Sequence, residues 1–341
     1  MARLAGWEPG VDHRVTAAPG PRRTQTPIGD GSDTDEAVAL SVVVASWNVR
    51  EALRDCLLSV EGEIARLAPA RVEVVVVDNA SSDGSPAMVA TEFPRVMLIR
   101  NAGNAGFARA TNQGIAAARG PLLLLLNPDT LVTPGALATL IRFMREHAGA
   151  GAAGACLVNP DGSLQASASP SPGLLREFWR LFHLDGLLRL SVYPLERWGA
   201  EPRPVDVAQG ACLALRREAL DQVGALDEEF FMYTEEVDLC RRLWRAGWTV
   251  NWVPAARVVH LGGQSTMQLR EDMFLRLYES KVRFFRKHRG RLAVAAYKFL
   301  LVLASLPRIL LGPLGVVLPG AAWDRSLAPN YWRLLTALPR F

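Results

Sequence analysis

The chain reads as an α/β protein: a mostly parallel central sheet flanked by helices, followed by a C-terminal helical tail that is both basic and apolar. Three observations predict this. Between Ser41 and His147, short apolar runs of five or six residues alternate four times with amphipathic stretches. The runs are nearly continuous in Val and Leu and lack the polar alternation of a half-exposed sheet, so helices are expected on both faces. At 341 residues, half of them hydrophobic, the chain has enough apolar material for one large domain plus an appendage.

In chain order, residues 1–38 are rich in Pro, Gly, Thr and charge with no apolar period, and a disordered leader is expected there. The pattern then predicts a strand at Ser41–Ser46, a helix at Arg50–Ile64, a strand at Val72–Val77 and a helix at Gly84–Glu92. Val96–Arg100 feeds a helix over Gly106–Arg119, and Leu122–Leu126 feeds one over Pro134–His147 after a turn at Asn127–Thr130. Beyond Gly149 the alternation loosens into Ala153–Val158, an apolar helical stretch at Gly173–Leu190 and a strand-like run at Ala208–Leu215. A helix over Thr234–Ala246, strands at Trp248–Trp252 and Arg257–His260, a basic helix Arg270–Arg289 and an apolar tail complete the chain. No repeat of fixed period is present.

Composition narrows the function. Charged residues are 21% of the chain and the net charge is only +4, so the surface is not the uniformly cationic one of a nucleic-acid binder, and no nucleic-acid partner is expected. The four cysteines are scattered without a CxxC pair and read as buried structural thiols of a reducing compartment, and no signal-peptide pattern is seen near Met1.

Ligands of an open parallel sheet collect outside the carboxyl ends of its strands. The polar residues there are Ser46, Trp47 and Asn48; Asp78 and Asn79; Asn101, Asn104 and Gly106; and Asn127, Pro128 and Asp129. The NAGNAG loop lacks both the GxGxxG spacing and a following GK[ST], which removes support for hydride transfer or NTP hydrolysis. Asn-Pro-Asp alone carries no weight, because it recurs at Asn159–Asp161 before Gly162 as an ordinary turn. Asp129 differs in following five leucines, which put its carboxylate at the edge of a central strand. A diphosphate-bound Mg²⁺ or Mn²⁺, which takes few protein carboxylates, is a sensible partner there.

Farther along, Glu235, Glu236 and Asp238 gather at a helix start after the apolar run Phe230–Tyr233. Asp238 has Arg241 and Arg242 three and four residues on, so a structural pairing competes evenly with a catalytic role. The two glutamates lack such partners, and crowding of like charge suits a general base near neutrality. His260 ends a strand before a polar loop, where a lone His is more often structural than a ligand. Of Trp179, Trp244, Trp248 and Trp252, most are expected in the core rather than stacked on a sugar.

Seven segments in order, SVVVASWN, VEVVVVDNASSDGS, RNAGNAGFARATNQG, LLLLLNPDT, QGACLALRREAL, GALDEEFFMYTEEVDLCRRLWRAGW and HLGGQST, resemble the family 2 glycosyltransferases, and within them the rhamnosyltransferase-like branch. The resemblance spans about Ser41 to Ser265. It implies a Rossmann-like sheet of GT-A type over residues 39–266, with a nucleotide-sugar half (39–148) and an acceptor and catalytic half (149–266). It also implies that Asp78 contacts the base, that Asn101, Asn104 and Gly106 line the nucleotide cleft, and that Asp129 ends a DxD metal motif. Glu236 falls at the catalytic base and His260 at a second metal ligand. Ser46, Asn48 and Asn127 complete the expected substrate-binding set. The chain departs from the family in having Asn127 for the first Asp of the motif, and Glu236 where an ED pair ends in Asp, which leaves Glu235 a rival base. The implied reaction is a single inverting displacement assisted by a divalent metal; the branch suggests dTDP-rhamnose as donor.

Residues 267–341 are expected to associate with the cytoplasmic membrane leaflet: Lys281, Arg283, Arg286, Lys287, Arg289 and Arg291 lead into an apolar stretch, Leu292–Trp323, interrupted by Lys298, Arg308 and three prolines. No charge-free run of about 20 residues is present, so a peripheral or re-entrant segment is expected rather than a span. This tail suggests a saccharide or lipid-linked acceptor of the cell envelope. The alternatives are a sugar-nucleotide pyrophosphorylase, which would need a Gly-rich basic loop where Trp47-Asn48-Val49 stands, and a transferase-like binding module without turnover.

Overall fold

The computed structural model describes residues 38–184, 199–264, 270–311 and 327–341. The expected leader, apart from Val38, lies outside them, as do the end of the Gly173–Leu190 stretch and residues 312–326 of the tail.

Nine strands form one sheet in the order β3-β2-β1-β4-β10-β6-β11-β5, with β8 paired to β11. They are β1 (Val38–Ser46), β2 (Arg71–Asp78), β3 (Met97–Arg100), β4 (Leu122–Leu126), β5 (Thr130–Val132), β6 (Ala150–Val158), β8 (Arg203–Pro204), β10 (Cys212–Arg216) and β11 (Thr249–His260). β7 (Ala168–Ser169) and β9 (Val207–Ala208) make a separate two-stranded ladder. The helices are α1 (Arg50–Leu67), α2 (Ser85–Glu92), α3 (Phe107–Ala117), α4 (Ala136–Glu146), α5 (Leu174–Leu181), α6 (Arg217–Val223), α7 (Glu235–Arg245), α8 (Arg270–Arg289), α9 (Arg291–Leu311) and α10 (Leu327–Ala337).

The first half follows the pattern of its apolar runs: β3, β2, β1 and β4 are parallel. Successive leucines of β4 enter opposite faces, and both faces are buried. Leu122, Leu124 and Leu126 pack with Leu53 and Leu57 of α1 and Leu140 of α4. Leu123 and Leu125 pack with Ile115 of α3, Leu220 of α6 and Leu239 of α7. This two-sided burial is why the strands read as unbroken hydrophobic runs.

The second half makes the sheet mixed, not purely parallel. The Ala208–Leu215 run is two strands: β9 leaves for the small ladder, while β10 inserts antiparallel between β4 and β6. The two strands expected around Trp248 and Arg257 are one, β11, whose register against β6 shifts between Val253 and Arg257. Pro254 falls in that gap, where a missing N–H breaks the ladder without ending the strand.

A third apolar cluster joins α5, α8, α9 and α10 through Leu181, Tyr278, Phe285, Tyr297, Leu301 and Leu334. Glu177 is buried inside it, bonded by Lys281 Nζ at 2.8 Å and Arg180 Nη2 at 2.8 Å. The basic helix expected at Arg270–Arg289 is observed with those limits.

Candidate active site

The carboxyl ends of β1, β2 and β4 open into a cavity of about 350 Å³. One wall is Ser46, Trp47, Asn79 and Asn104; another is Asn127, Asp129 and His260; the third is Tyr233, Glu235 and Glu236.

On the first wall, β1 and β2 pair in parallel with Ser46 beside Asp78. Ser46 Oγ and Asp78 Oδ1 are buried without a hydrogen-bond partner, while Asp78 Oδ2 accepts from Ser81 N–H. Two orphaned polar atoms side by side at a strand end are groups a ligand would satisfy. Asn79, outside the expected substrate-binding set, is the hub of this wall. Its Nδ2 donates to Asn104 Oδ1 at 2.9 Å, and its Oδ1 accepts from Asn101 Nδ2 and the Ala105 N–H. Its position next to Asp78 was the available signal.

Asn48 and Asn101, expected to bind substrate, are tied into the scaffold. Asn48 takes φ +51°, donates its N–H to Ser81 Oγ and accepts from Ser82 N–H, tying two strand-end loops together. Asn101 Nδ2 is shared between Asn79 and Gln113. Neither lines the cavity, and nor do Asp78 and Gly106. Gly106 instead couples the halves: at φ +88°, a Cβ there would stand 2.7 Å from the Phe231 carbonyl oxygen, which the Phe107 N–H also reaches at 2.7 Å.

On the second wall, β5 and β11 pair antiparallel with Thr130 opposite His260, and Leu261 N–H donates to the Asp129 carbonyl. That register brings His260 Nε2 within 3.4 Å of Asp129 Oδ1, although the residues are 131 positions apart. Gln165 fixes the imidazole. Its Nε2 donates to the His260 carbonyl and to Asn159 Oδ1, each at 2.7 Å, so its Oε1 must accept from His260 Nδ1–H at 2.9 Å. His260 Nε2 is therefore left buried without a hydrogen bond, facing a carboxylate. A lone pair opposed to a carboxylate is repulsive unless a proton or a cation lies between them. The donor set, one imidazole nitrogen and one carboxylate oxygen with their second partners in place, fits a divalent cation. Among the described residues no group of three or more His, Cys, Asp or Glu could hold a metal ion, so substrate oxygens would have to complete the shell. Asn127 lines the same wall, its N–H bonded to the Ala211 carbonyl across β10. No sequence feature marked Gln165, which reaches His260 across 95 residues.

On the third wall, Tyr233 and Thr234 are consecutive left-handed residues at φ +67° and +73° just before α7. Each costs about 1–2 kcal/mol outside glycine, and strain of this kind is characteristic of sites where the surrounding fold holds a group in place. It delivers Glu235 and Glu236 to the cavity, each with Oε2 buried and unbonded. Burial pushes both carboxyls above the ordinary range, and the charge of Glu236 pushes Glu235 higher still.

Asp238, for which a structural pairing competed evenly with a catalytic role, is held as an anchor. It is fully buried, away from the cavity, and bonded by Arg242 Nε at 2.7 Å and His288 Nε2 at 2.7 Å, with Lys287 Nζ at 2.9 Å. Burial would raise its carboxyl, but hydrogen bonds from His288 and Lys287 and the charge of Arg242 hold it far below the usual carboxylate range. The four cysteines are free and buried, and burial pushes the thiols of Cys56, Cys212 and Cys240 up to about 12. Trp252 is in the core, Trp244 bonds the Val205 carbonyl and Trp248 bonds Gln222; none of these three lines the cavity, whereas Trp47 does.

Comparison with known proteins bears on the family and the fold. Residues 41–224 match the family model described as glycosyl transferase family 2. The chain is 36% identical over 214 residues to the N-acetylglucosaminyl-diphospho-decaprenol L-rhamnosyltransferase of Mycobacterium tuberculosis, covering 57% of this chain and 68% of that one. It is 26% identical to a low-salt glycan biosynthesis hexosyltransferase of Haloferax volcanii, over 70% of this chain and 72% of that one. The mannosyltransferase of Pyrobaculum calidifontis, solved with GDP-Man and Mn²⁺, superposes with a TM-score of 0.52 at 18% identity, covering 91% of this chain and 86% of the other. These matches set aside the pyrophosphorylase alternative. With seven ordered segments, a mixed sheet of GT-A type and a strand-end cavity all in agreement, the chain belongs to glycosyl transferase family 2, as a rhamnosyltransferase-like glycosyltransferase.

Proposed function

We propose that the enzyme transfers rhamnose from dTDP-rhamnose, with inversion, to a saccharide or lipid-linked acceptor in cell-envelope glycan synthesis, at the cytoplasmic face of the membrane. The transferred sugar and the acceptor class follow the relative from Mycobacterium tuberculosis, whose name specifies L-rhamnosyl transfer to N-acetylglucosaminyl-diphospho-decaprenol; the dTDP carrier follows the resemblance of the chain's segments to the rhamnosyltransferase-like branch. Four buried reduced cysteines accord with a reducing compartment. One observation carries the chemistry: the orphaned His260 Nε2 stands 3.4 Å from Asp129 Oδ1, in the cavity that also holds the unbonded carboxyls of Glu235 and Glu236.

Asp129 and His260 would hold a divalent cation, which supplies charge compensation for the departing nucleoside diphosphate. Ser46, Asp78 and the Asn79 network receive the nucleoside at the ends of β1 and β2. Glu236 accepts the proton of the acceptor hydroxyl as that oxygen forms its bond to the anomeric carbon; the bond from that carbon to the diphosphate breaks on the opposite side. Glu235, raised further by its neighbour's charge, keeps its proton and leaves Glu236 as the ionised member of the pair. A base with a raised pKa must lose its proton to work, so activity rises with pH through the Glu236 ionisation.

The test is transfer from a panel of nucleotide sugars, with and without chelator, by wild type, Asp129→Asn and Glu236→Gln. We expect selectivity for dTDP-rhamnose, loss of turnover with chelator and a fall of about 10²–10⁴-fold in kcat for Glu236→Gln. Full activity of Asp129→Asn, or turnover indifferent to chelator, would overturn the metal assignment. Full activity of Glu236→Gln with an inactive Glu235→Gln would move the base by one residue.

A further inference from the structure

Helix α9 presents its two faces to different surroundings. Leu292, Phe299, Leu303, Leu306 and Leu310 are spaced by seven, four, three and four residues, which aligns them along one side of the helix. All five are exposed, Leu292 by 88%, Phe299 by 61% and Leu310 by 67%. Ala295 and Pro307 fill the same side, so no charged group interrupts it over about 27 Å. An uncharged apolar strip of that length does not belong on a water-facing surface.

The opposite side is committed to protein. Tyr297, Leu301, Ala304 and Ser305 are buried, Lys298 Nζ donates to the Phe341 carbonyl, and Arg308 donates to the Leu181 and Ala304 carbonyls. Arg291–Leu310 is long and apolar enough to cross a bilayer. Crossing would strip these contacts and carry Lys298 and Arg308 into hydrocarbon. The helix is therefore built to lie along a surface, with one side in it.

Charge at the N-terminal end of the strip identifies that surface. Arg286, Arg289 and Arg291 are exposed there. α7 adds Arg245, whose Nη1 lies 3.1 Å from His288 Nδ1, and Arg241, whose proton affinity is lowered by burial and by the charges of Arg245 and Arg289. Asp206 offsets only part of this. Guanidinium groups gathered beside an apolar strip complement an anionic headgroup layer over a hydrocarbon interior. We propose that the outer side of α9 is a membrane-docking surface, on which the enzyme rests with the helix parallel to an anionic leaflet and the arginine cluster among its headgroups.

Docking there also has a consequence for the acceptor. α9 turns back along α8 at Gly290: Phe285 packs tilted against Tyr297 beside the turn, and Tyr278 shares one buried cluster with Leu301 and Ala304 farther along. The Leu310 end of the strip thus returns toward the start of α8, where Met273 lines the cavity. A lipid-linked acceptor held in the leaflet would meet the catalytic cavity from the membrane side. This consequence, though not the docking itself, rests on the proposed acceptor.

The test floats the full-length protein with vesicles of phosphatidylcholine alone or mixed equally with phosphatidylglycerol. Wild type should float with the mixed vesicles, less with the neutral ones, and less in high salt. Leu303→Glu combined with Leu306→Glu should weaken flotation about ten-fold or more, with donor binding and thermal unfolding unchanged. Arg286→Glu with Arg289→Glu should weaken binding to the mixed vesicles alone. Wild type that stays in solution, or a Leu303/Leu306 variant that floats normally, overturns the docking surface. So does a variant that converts a dimer to a monomer without altering flotation, since a second copy then covers the strip. Flotation needs no turnover: intact docking without transfer would count against the catalytic proposal alone.

Discussion

At the scale of single residues, the site depends on how His260 is held. Its tautomer is set by Gln165, whose amide can accept only through Oε1 because both Nε2 protons are already given to Asn159 and the His260 carbonyl. Asn159 belongs to the second Asn-Pro-Asp of the chain, which forms the expected turn, with Gly162 N–H on the Asn159 carbonyl. That turn also carries the amide that orients Gln165. On the proposed metal assignment, Gln165→Ala frees the imidazole and lowers Mn²⁺ affinity about 10–100-fold, as loss of an outer-shell partner does elsewhere. Titration of Mn²⁺ by electron paramagnetic resonance reads this without turnover. Gln165→Glu should recover part of the affinity, because it still accepts from Nδ1–H. Unchanged affinity in Gln165→Ala would mean that His260 does not ligate.

At the scale of elements, the sequence showed what local pattern controls and missed what pairing controls. β1, β2 and β4 were legible because burial on both faces leaves an unmistakable apolar run, and β3, a half-exposed edge strand, because it is a short apolar run before a helix. The insertion of β10 was not, since five residues of β-like sequence, Cys212–Arg216, carry no mark of direction. Asp129 and Glu236 were readable as acids at the edges of apolar segments, whereas Gln165 and the scaffold roles of Asn48 and Asn101 arise from contacts made only after folding. Gly106 belongs to the same class: expected in the cleft, it also lets α3 approach the segment before α7. Gly106→Ala meets both a left-handed φ and the Phe231 carbonyl, and should cost about 1–3 kcal/mol of stability while weakening donor binding. Urea denaturation and the KM for donor would register both effects. Gly103→Ala, where a Cβ meets nothing within 4 Å, is the control and should leave both unchanged.

At the scale of the whole molecule, the C-terminal helices are fastened to the catalytic half in two ways, by the apolar cluster they share with α5 and by ions at α7. Asp238 of α7 is the centre, gripped by Lys287 and His288 of α8 and by Arg242 of its own helix, while Lys287 also reaches Asp227 at 2.6 Å. Arg242 in turn donates to the carbonyls of Val223, Gly224 and Ala225, so losing the carboxylate disturbs the loop before the glutamates as well. Asp238→Asn removes the one buried anion among three basic groups and should lower the unfolding free energy by about 3–5 kcal/mol. The sign with pH follows from the depressed carboxyl. The group supplies its stability above its unfolded pKa of about 3.9, and that stability is lost as pH falls toward the lower folded value. Urea unfolding of wild type and Asp238→Asn should therefore differ most near neutrality and converge below about pH 4. A gap that stayed constant across that range would show that the residue acts through packing and not through its charge.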